Sequence, residues 1–170
     1  EAVICRGLVA RRDAAAVGAA AAARGVLKPS GPLPKADFEA AVAVCATANV
    51  SLMAALDEGG GDGDAAGEAA EAELHAAADL VFAASAAAEA NLARSLHDGG
   101  APAAEVLQKV EYSVGLRREL LMRASAGGAA AARVNYAQAL ANHGSMLIAY
   151  DDITAGRRVL LSALQAGRAA

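Results

Sequence analysis

The chain of 170 residues has few aromatic side chains: two Phe, three Tyr and no Trp. Alanine fills 51 positions, so the interior must consist of small side chains that let neighbouring backbones approach closely. Alanine is also the strongest helix former. Only 16 residues are Val or Ile, and they form no β-branched run, so the chain has few of the residues that favour β-strands. Composition therefore predicts an all-α protein.

Cysteine and the usual catalytic motifs are scarce as well. Cys5 and Cys45 are too few for a disulfide scaffold or a four-cysteine zinc site, and Cys45 continues an apolar helical stripe. The histidines His75, His97 and His143 lack the spacing that places two ligands on one helix face. No glycine-rich phosphate loop or serine-nucleophile motif is present. We therefore expect no cofactor and a protein that is not an enzyme.

Long hydrophobic runs are missing too. No uninterrupted apolar stretch reaches the roughly 18 residues that a membrane span requires, because Arg11 and Asp13 interrupt the first stretch and Glu71 and Asp79 interrupt another. We expect a soluble chain without a membrane span. A start at Glu1 is typical of a processed or excised piece. The compartment stays open, and an organelle reached after removal of a targeting segment is one option.

Turn-forming residues divide the chain into seven predicted helices. Gly, Pro, Asp and Ser concentrate in four segments, residues 28–35, 58–67, 98–102 and 126–128. The predicted helices are residues 2–12, 13–26, 36–56, 68–97, 103–124, 129–150 and 152–165. We assign 1–57 to N-terminal helices, 58–67 to a Gly/Asp-rich linker and 68–170 to helical hairpins, all within one continuous helical unit.

Two of these helices have informative apolar patterns. The helix at 68–97 carries a stripe of helical period formed by Leu74, Ala78, Val81, Phe82, Ser85, Ala88, Leu92 and Leu96. The helix at 129–150 has apolar residues on two sides, which is typical of a helix that lies between two neighbours in a layered array. All five aromatic residues fall at positions that we predict to be in the core.

Two short patterns recur in the second half of the chain. N-x-A-x-x-L begins at Asn91 and again at Asn135, and R-R-x-L-L begins at Arg117 and again at Arg157. Two helices joined by a turn of variable length would account for both recurrences. The pattern therefore predicts repeated helical hairpins.

A family resemblance follows from two longer segments. Residues 142–164 (NHGSMLIAYDDITAGRRVLLSAL) resemble a tetratricopeptide hairpin, and residues 2–29 (AVICRGLVARRDAAAVGAAAAARGVLKP) are similar to a helix pair of the related pentatricopeptide kind. The resemblance implies a right-handed α-solenoid that serves as a binding scaffold. We thus expect an all-α array of helical hairpins. The alternative is an up-and-down bundle of four long helices, residues 36–56, 68–97, 103–124 and 129–150.

Charge is divided along the chain. Residues 1–35 carry six Lys or Arg and two acids, residues 36–105 carry one Arg and thirteen acids, and residues 106–170 carry eight Lys or Arg and four acids. Solvated helix faces would explain this, and so would basic ends that bind an acidic partner. We predict partner binding by Arg117, Arg118, Arg157 and Arg158. With few aromatics to stack on bases, RNA is the less favoured partner.

The function expected from the sequence is a non-catalytic protein–protein interaction scaffold, a structural subunit of a larger assembly. One alternative is an organellar-type helical-repeat protein that binds RNA or ribonucleoprotein. Another is a small all-α enzyme or a ligand-binding bundle. The partner expected is another protein of the same complex.

One segment has the outline of a calcium site. Asp62, Asp64, Glu68 and Glu73 occupy positions of an EF-hand loop, with Gly67 at its turn. The position between Asp64 and Gly67 that should offer an oxygen is an alanine, and no second loop exists. We interpret residues 58–67 as an acidic linker and predict no metal, with calcium as the alternative.

Overall fold

The computed structural model describes residues 35–58 and 65–169. These residues form five α-helices and no strand, which confirms the all-α prediction for this part of the chain. In chain order the helices are α1 (Lys35–Glu58), α2 (Ala65–Asp98), α3 (Ala103–Arg123), α4 (Ala129–Ala149) and α5 (Ile153–Arg168). None of these five helices is both long and apolar enough to cross a membrane.

The five helices correspond to the last five of the seven that the sequence predicts. The other two, at residues 2–12 and 13–26, lie outside the described residues. The predicted linker 58–67 is too long, because Glu58 still belongs to α1 and α2 begins at Ala65. Two alanines at the start of α2 favour the helical state, and Glu68 in its first turn interacts favourably with the positive end of the helix dipole.

Helices α2, α3 and α4 each pack on the helix that precedes them and on the helix that follows them. Among the described helices, extensive packing joins only neighbours in the chain: α1 with α2, α2 with α3, α3 with α4, and α4 with α5. Helix α4 contacts its two neighbours with different residues, since His143 faces Glu111 of α3 whereas Gly144 faces Gly156 of α5. The prediction that this helix lies between two others is confirmed.

Helix α2 provides most of the core. All eight residues of its predicted apolar stripe are buried. The amino-terminal half of α2 packs against α1 in a cluster formed by Cys45, Ala48, Leu52, Leu74, Ala77, Val81 and Ala84. Near its carboxyl end, α2 packs with α3 in a second cluster of Leu92, Ala93, Leu96, Val106 and Val110. Residues from the ends of α1 and α4 pack against this second cluster, namely Phe38, Val42, Met146 and Tyr150.

The turn between α2 and α3 is a Schellman motif. Gly100 adopts a left-handed conformation with φ of 74°. The N–H of Ala101 donates to the carbonyl of Leu96 at 2.9 Å, and the N–H of Gly100 donates to that of His97 at 3.0 Å. These two bonds satisfy carbonyls that the end of a helix leaves without partners. Pro102 then precedes α3, where a proline cannot continue the previous helix.

Two aspartates make the turn between α4 and α5. Asp151 has φ of 66°, and the N–H of Asp152 donates to the carbonyl of Leu147 at 2.9 Å, so α4 also ends in a Schellman motif. Asp152 then begins α5, because its Oδ1 accepts a hydrogen bond of 3.0 Å from the N–H of Ala155. One pair of residues thus terminates one helix and caps the next.

Helices α4 and α5 approach each other at two glycines. A Cβ added at Gly156 would lie 2.5 Å from Ile148 Cγ1 and 2.8 Å from the Gly144 carbonyl oxygen. A Cβ added at Gly144 would lie 2.8 Å from Leu160 Cγ and 2.9 Å from the Gly156 carbonyl oxygen. Only glycine fits at either position without displacing the facing helix.

The recurring sequence patterns lie at different places in their helices. Asn91 lies near the carboxyl end of α2, whereas Asn135 lies near the amino end of α4. Arg117 lies in the second half of α3, whereas Arg157 lies in the second turn of α5. The helices also differ in length, with 34 residues in α2 and 16 in α5. The relation to tetratricopeptide repeats stays a prediction.

Candidate binding surface

The outer side of α5 combines exposed apolar residues with arginines. Ile153, Leu161 and Leu164 are 50%, 61% and 58% exposed. Arg157 lies one turn from both Ile153 and Leu161, and Arg168 lies one turn from Leu164, because residues four apart are neighbours on a helix. We call Ile153, Arg157, Arg158, Leu161, Leu164 and Arg168 the α5 surface.

The charge on this surface is not neutralised within α5. The helix contains three arginines and no acidic residue. None of the three arginine side chains forms an ion pair or a hydrogen bond with a residue that the structure describes. Two other arginines do have partners, since Arg133 donates to the Ala169 carbonyl at 2.7 Å and Arg123 lies 4.7 Å from the centre of the Phe82 ring.

The opposite side of α5 fixes the orientation of this surface. Gly156 and Ala163 are buried against α4, and the cap at Asp152 sets where the helix begins. The hydrogen bond from Arg133 to Ala169 ties the end of α5 to α4. Both ends and the middle of α5 are therefore attached to α4, and the α5 surface is left exposed.

The four predicted partner-binding arginines do not form one surface. Arg157 and Arg158 are exposed on α5, whereas Arg117 and Arg118 lie on α3, on the other side of α4. Arg118 is exposed and Arg117 is half-buried, as expected for adjacent residues that point about 100° apart on a helix. Burial lowers the pKa of the Arg117 guanidinium from its ordinary value.

Arg117 lines a cleft where α2, α3 and α4 meet. The cleft has a volume of about 290 Å³. Its polar residues are Asp79 from α2, Arg117 from α3, Ser125 from the following turn and Asn135 from α4. Its apolar part is formed by Ala83, Leu120, Ala124 and Ala132. Gly128, which precedes the first turn of α4, also lines it, and no side chain caps this helix end.

A second cluster of polar side chains, which the sequence patterns do not predict, lies between α1, α2 and α3. Glu89 of α2 is only 4% exposed, and its Oε2 lies 3.3 Å from the Lys109 Nζ of α3. The pair is close enough for electrostatic attraction, although the geometry does not make a hydrogen bond to that oxygen. Four residues along α3, buried Ser113 donates to the Ala86 carbonyl at 2.7 Å. We call Cys45, Ser85, Glu89, Lys109 and Ser113 the buried polar layer.

Cys45 in this layer is a free thiol, and it is buried as predicted. Burial is the main influence that raises the pKa of the Cys45 thiol, and the charge of Glu89 raises it further. A hydrogen bond with the Ser85 side chain acts in the opposite direction and is outweighed. Because the thiolate is the nucleophilic form, the raised pKa disfavours the reactive state of Cys45. Cys5 lies outside the described residues.

The histidines occupy separate environments. His97 Nδ1 lies 3.1 Å from the Tyr150 hydroxyl, which also lies 3.4 Å from the Ala101 carbonyl, so the end of α4 is tied to the turn after α2. His143 lies between α3 and α4, with Nε2 3.8 Å from Glu111 Oε1. Burial lowers the pKa of His143, and the nearby Glu111 charge only partly offsets this effect.

Only two of the four residues of the predicted calcium site lie in the described part of the chain. Asp62 and Asp64 lie outside them, while Glu68 and Glu73 are exposed on α2. Within residues 35–58 and 65–169, no group of three or more His, Cys, Asp or Glu side chains is arranged to hold a metal ion.

One prediction about the aromatic residues is wrong. Tyr112 was expected in the core with the other four, but it is 52% exposed on α3. Its neighbour Ser113 takes the buried position, because the register of α3 directs the hydroxyl of Ser113 to the Ala86 carbonyl. Phe82 is buried, and Phe38, Tyr136 and Tyr150 are partly buried.

Comparison with protein-family models, with curated proteins and with solved structures gives no match to this chain.

Proposed function

We propose that the protein is a non-catalytic interaction scaffold, built as an array of helical hairpins, whose α5 surface binds an acidic amphipathic helix of a partner protein. The observation that carries the proposal is the α5 surface itself: three apolar side chains at least half exposed, beside three arginines without described partners. Arginine is enriched where proteins bind one another, and the buried core of an interface is more apolar than the rest of a protein surface.

The position of α5 in the array supports this proposal. Helices α2, α3 and α4 each pack on two neighbours, whereas α5, the last of the described helices, packs extensively only on α4. In arrays of stacked helices, each unit covers the apolar face of the next, and among the described residues no helix covers the α5 surface. A partner helix with acidic and apolar residues would cover this surface.

The composition of α5 favours protein over RNA as the partner. Sequence-tolerant binding of single-stranded RNA uses aromatic side chains on which bases stack. Helix α5 contains no aromatic residue, and its exposed apolar residues are aliphatic. Cys45 is a buried thiol with a raised pKa, which does not favour its use as a nucleophile.

A defined peptide tests the proposal. The probe is a synthetic amphipathic helix of the same length as α5, 16 residues, with leucines on one face and glutamates flanking them. A peptide of identical composition in scrambled order is its control. We expect the full chain to bind the amphipathic probe about tenfold tighter or more by fluorescence anisotropy, because burial of one leucine contributes about 1.5 to 3 kcal/mol.

Two variants of the full chain complete the test. Leu161→Glu should abolish the preference for the amphipathic probe, whereas Val50→Glu, at a position of α1 that is 72% exposed, should retain it. Arg157→Gln with Arg158→Gln should weaken binding mainly at low salt. Equal binding of the scrambled peptide, equal loss in the Val50 variant, or tighter binding of a single-stranded RNA oligomer would contradict the proposal.

A further inference from the structure

The cleft between α2, α3 and α4 contains two opposite charges that do not pair with each other. Asp79 and Arg117 both line it, and both are partly buried. Neither side chain forms an ion pair or a hydrogen bond with any residue in the described part of the chain. Partly buried charges without partners are unfavourable, so a ligand that paired with both would bind favourably.

We propose that this cleft binds a small zwitterion, with its carboxylate at Arg117 and its ammonium group at Asp79. The guanidinium offers a planar set of donors that matches the two oxygens of a carboxylate. The aspartate on the α2 side of the cleft disfavours a ligand that carries only negative charge, such as phosphate. A ligand with charges of both signs pairs with Arg117 and with Asp79.

The rest of the lining agrees with this ligand class. The start of α4 lies at the same cleft through Gly128 and has no side-chain cap, although the N–H groups of Gly128 and Ala129 donate to the Ser125 carbonyl, and the helix dipole favours the negative end of a ligand there. Asn135 and Ser125 can each donate and accept a hydrogen bond. The side chains of Ala83, Leu120, Ala124 and Ala132 suit an aliphatic group. The volume of about 290 Å³ is at the small end of ligand pockets.

An amino acid with an aliphatic side chain has this chemistry, and so does a short peptide through its two termini. The proposal therefore names a carboxylate and an ammonium group on one small aliphatic molecule. It does not depend on the α5 surface, and it stands or falls separately from the proposed function.

The test uses ligands that differ by one charge. L-leucine is titrated into the full chain and followed by NMR chemical-shift changes, beside leucinamide, which lacks the carboxylate, and N-acetylleucine, which lacks the ammonium group. We expect L-leucine or the dipeptide leucylalanine to bind about tenfold tighter than either one-charge analogue, because charge-assisted hydrogen bonds are the strong ones. Tighter binding of leucine identifies a free amino acid, and tighter binding of the dipeptide identifies a peptide end.

Substitutions then test which residue binds the carboxylate of the ligand and which binds its ammonium group. Arg117→Gln should remove the advantage of the zwitterion over leucinamide, and Asp79→Asn should remove its advantage over N-acetylleucine. The adjacent, exposed Arg118→Gln is the matched control and should change neither. Binding of leucinamide or N-acetylleucine as tight as that of both zwitterions, absence of binding by all four compounds, or an equal effect of Arg118→Gln would overturn the proposal. The wild-type comparison remains decisive if a variant fails to fold.

Discussion

The two ends of the described structure are held together in different ways. Helices α1, α2 and α3 enclose the buried polar layer, in which Glu89 pairs with Lys109 and Ser113 donates to the Ala86 carbonyl. Helices α4 and α5 enclose no comparable ion pair between described residues and instead meet at Gly144 and Gly156. Alanine-rich helices have little side-chain volume to specify one alignment. Specific polar pairs supply the alignment at one end, and backbone approach supplies it at the other.

The largest effect is expected in the buried polar layer. Lys109→Met would leave the Glu89 carboxylate buried without its cation and should lower the free energy of unfolding by about 3 kcal/mol. This is the lower end of the range for buried pairs, since the Lys109 side chain is 30% exposed. Urea denaturation followed by circular dichroism measures the change.

A double variant separates loss of the pair from loss of packing. Lys109→Met combined with Glu89→Met replaces both charges by apolar groups and should restore most of the stability. A double variant as unstable as Lys109→Met alone would show that the charges contribute little to the instability of the single variant.

The glycine contact between α4 and α5 should give the next largest effect. Gly156→Ala places a Cβ against Ile148 and the Gly144 carbonyl. Overpacking costs about 1 to 3 kcal/mol, and alanine gains about 1 kcal/mol over glycine in a helix, so the net result is destabilisation by up to about 2 kcal/mol. Thermal unfolding followed by circular dichroism measures it.

Gly115→Ala is the matched control on α3. A Cβ at Gly115 would meet nothing within 4 Å, so this change should stabilise the protein by about 0.5 to 1 kcal/mol. Stabilisation by both alanines would show that the close approach of α4 and α5 is not needed.

The turn between α4 and α5 should be sensitive to its cap. Asp152→Ala removes the acceptor for the Ala155 N–H and should lower the free energy of unfolding by about 1 kcal/mol. Asp151→Gly is the control, because glycine adopts the left-handed conformation at no steric cost and should be neutral or slightly stabilising. Urea denaturation should therefore show a loss of stability for Asp152→Ala and none for Asp151→Gly, and a larger loss for Asp151→Gly would contradict the assigned roles.

The contact between α3 and α4 should show the smallest effect, visible as a dependence on pH. Burial lowers the pKa of His143 in the native state below its unfolded value of about 6.5. The unfolded chain therefore binds more protons below about pH 6.5, and stability should fall as the pH is lowered through this range. Urea denaturation at pH 7.5 and pH 5.5 should show a smaller fall for His143→Gln than for the wild type. An identical fall in stability for the wild type and for His143→Gln would contradict a lowered pKa of His143.

The sequence predicts the helices well and the polar contacts poorly. The stripe on α2 is fully buried because apolar residues at helical spacing must all face the same neighbours. Glu89 lies among those residues, yet its pairing with Lys109 depends on the alignment of α2 and α3, which periodicity does not determine. Gly144 and Gly156 show the same limit, since a glycine inside a helical pattern does not reveal which backbone approaches it.

The arginines of the candidate sites also differ in how far the sequence predicts their surroundings. Arg157 and Arg158 are predicted from their pattern, and their exposure follows from the amphipathic sequence of α5. That Arg117 lies in a cleft with Asp79 depends on how three helices meet, and the R-R-x-L-L pattern gives no sign of it. The pattern therefore groups four arginines that the structure separates.

Hydrogen exchange of the native Gly156→Ala protein tests most directly whether the chain is an open array in which neighbours alone hold each helix. In such an array the damage stays local. We predict faster amide exchange in α5 and the adjoining part of α4, with α1 and α2 exchanging as in the wild type. Faster exchange by the same factor in all five helices would contradict the array and indicate a closed bundle with one cooperative core.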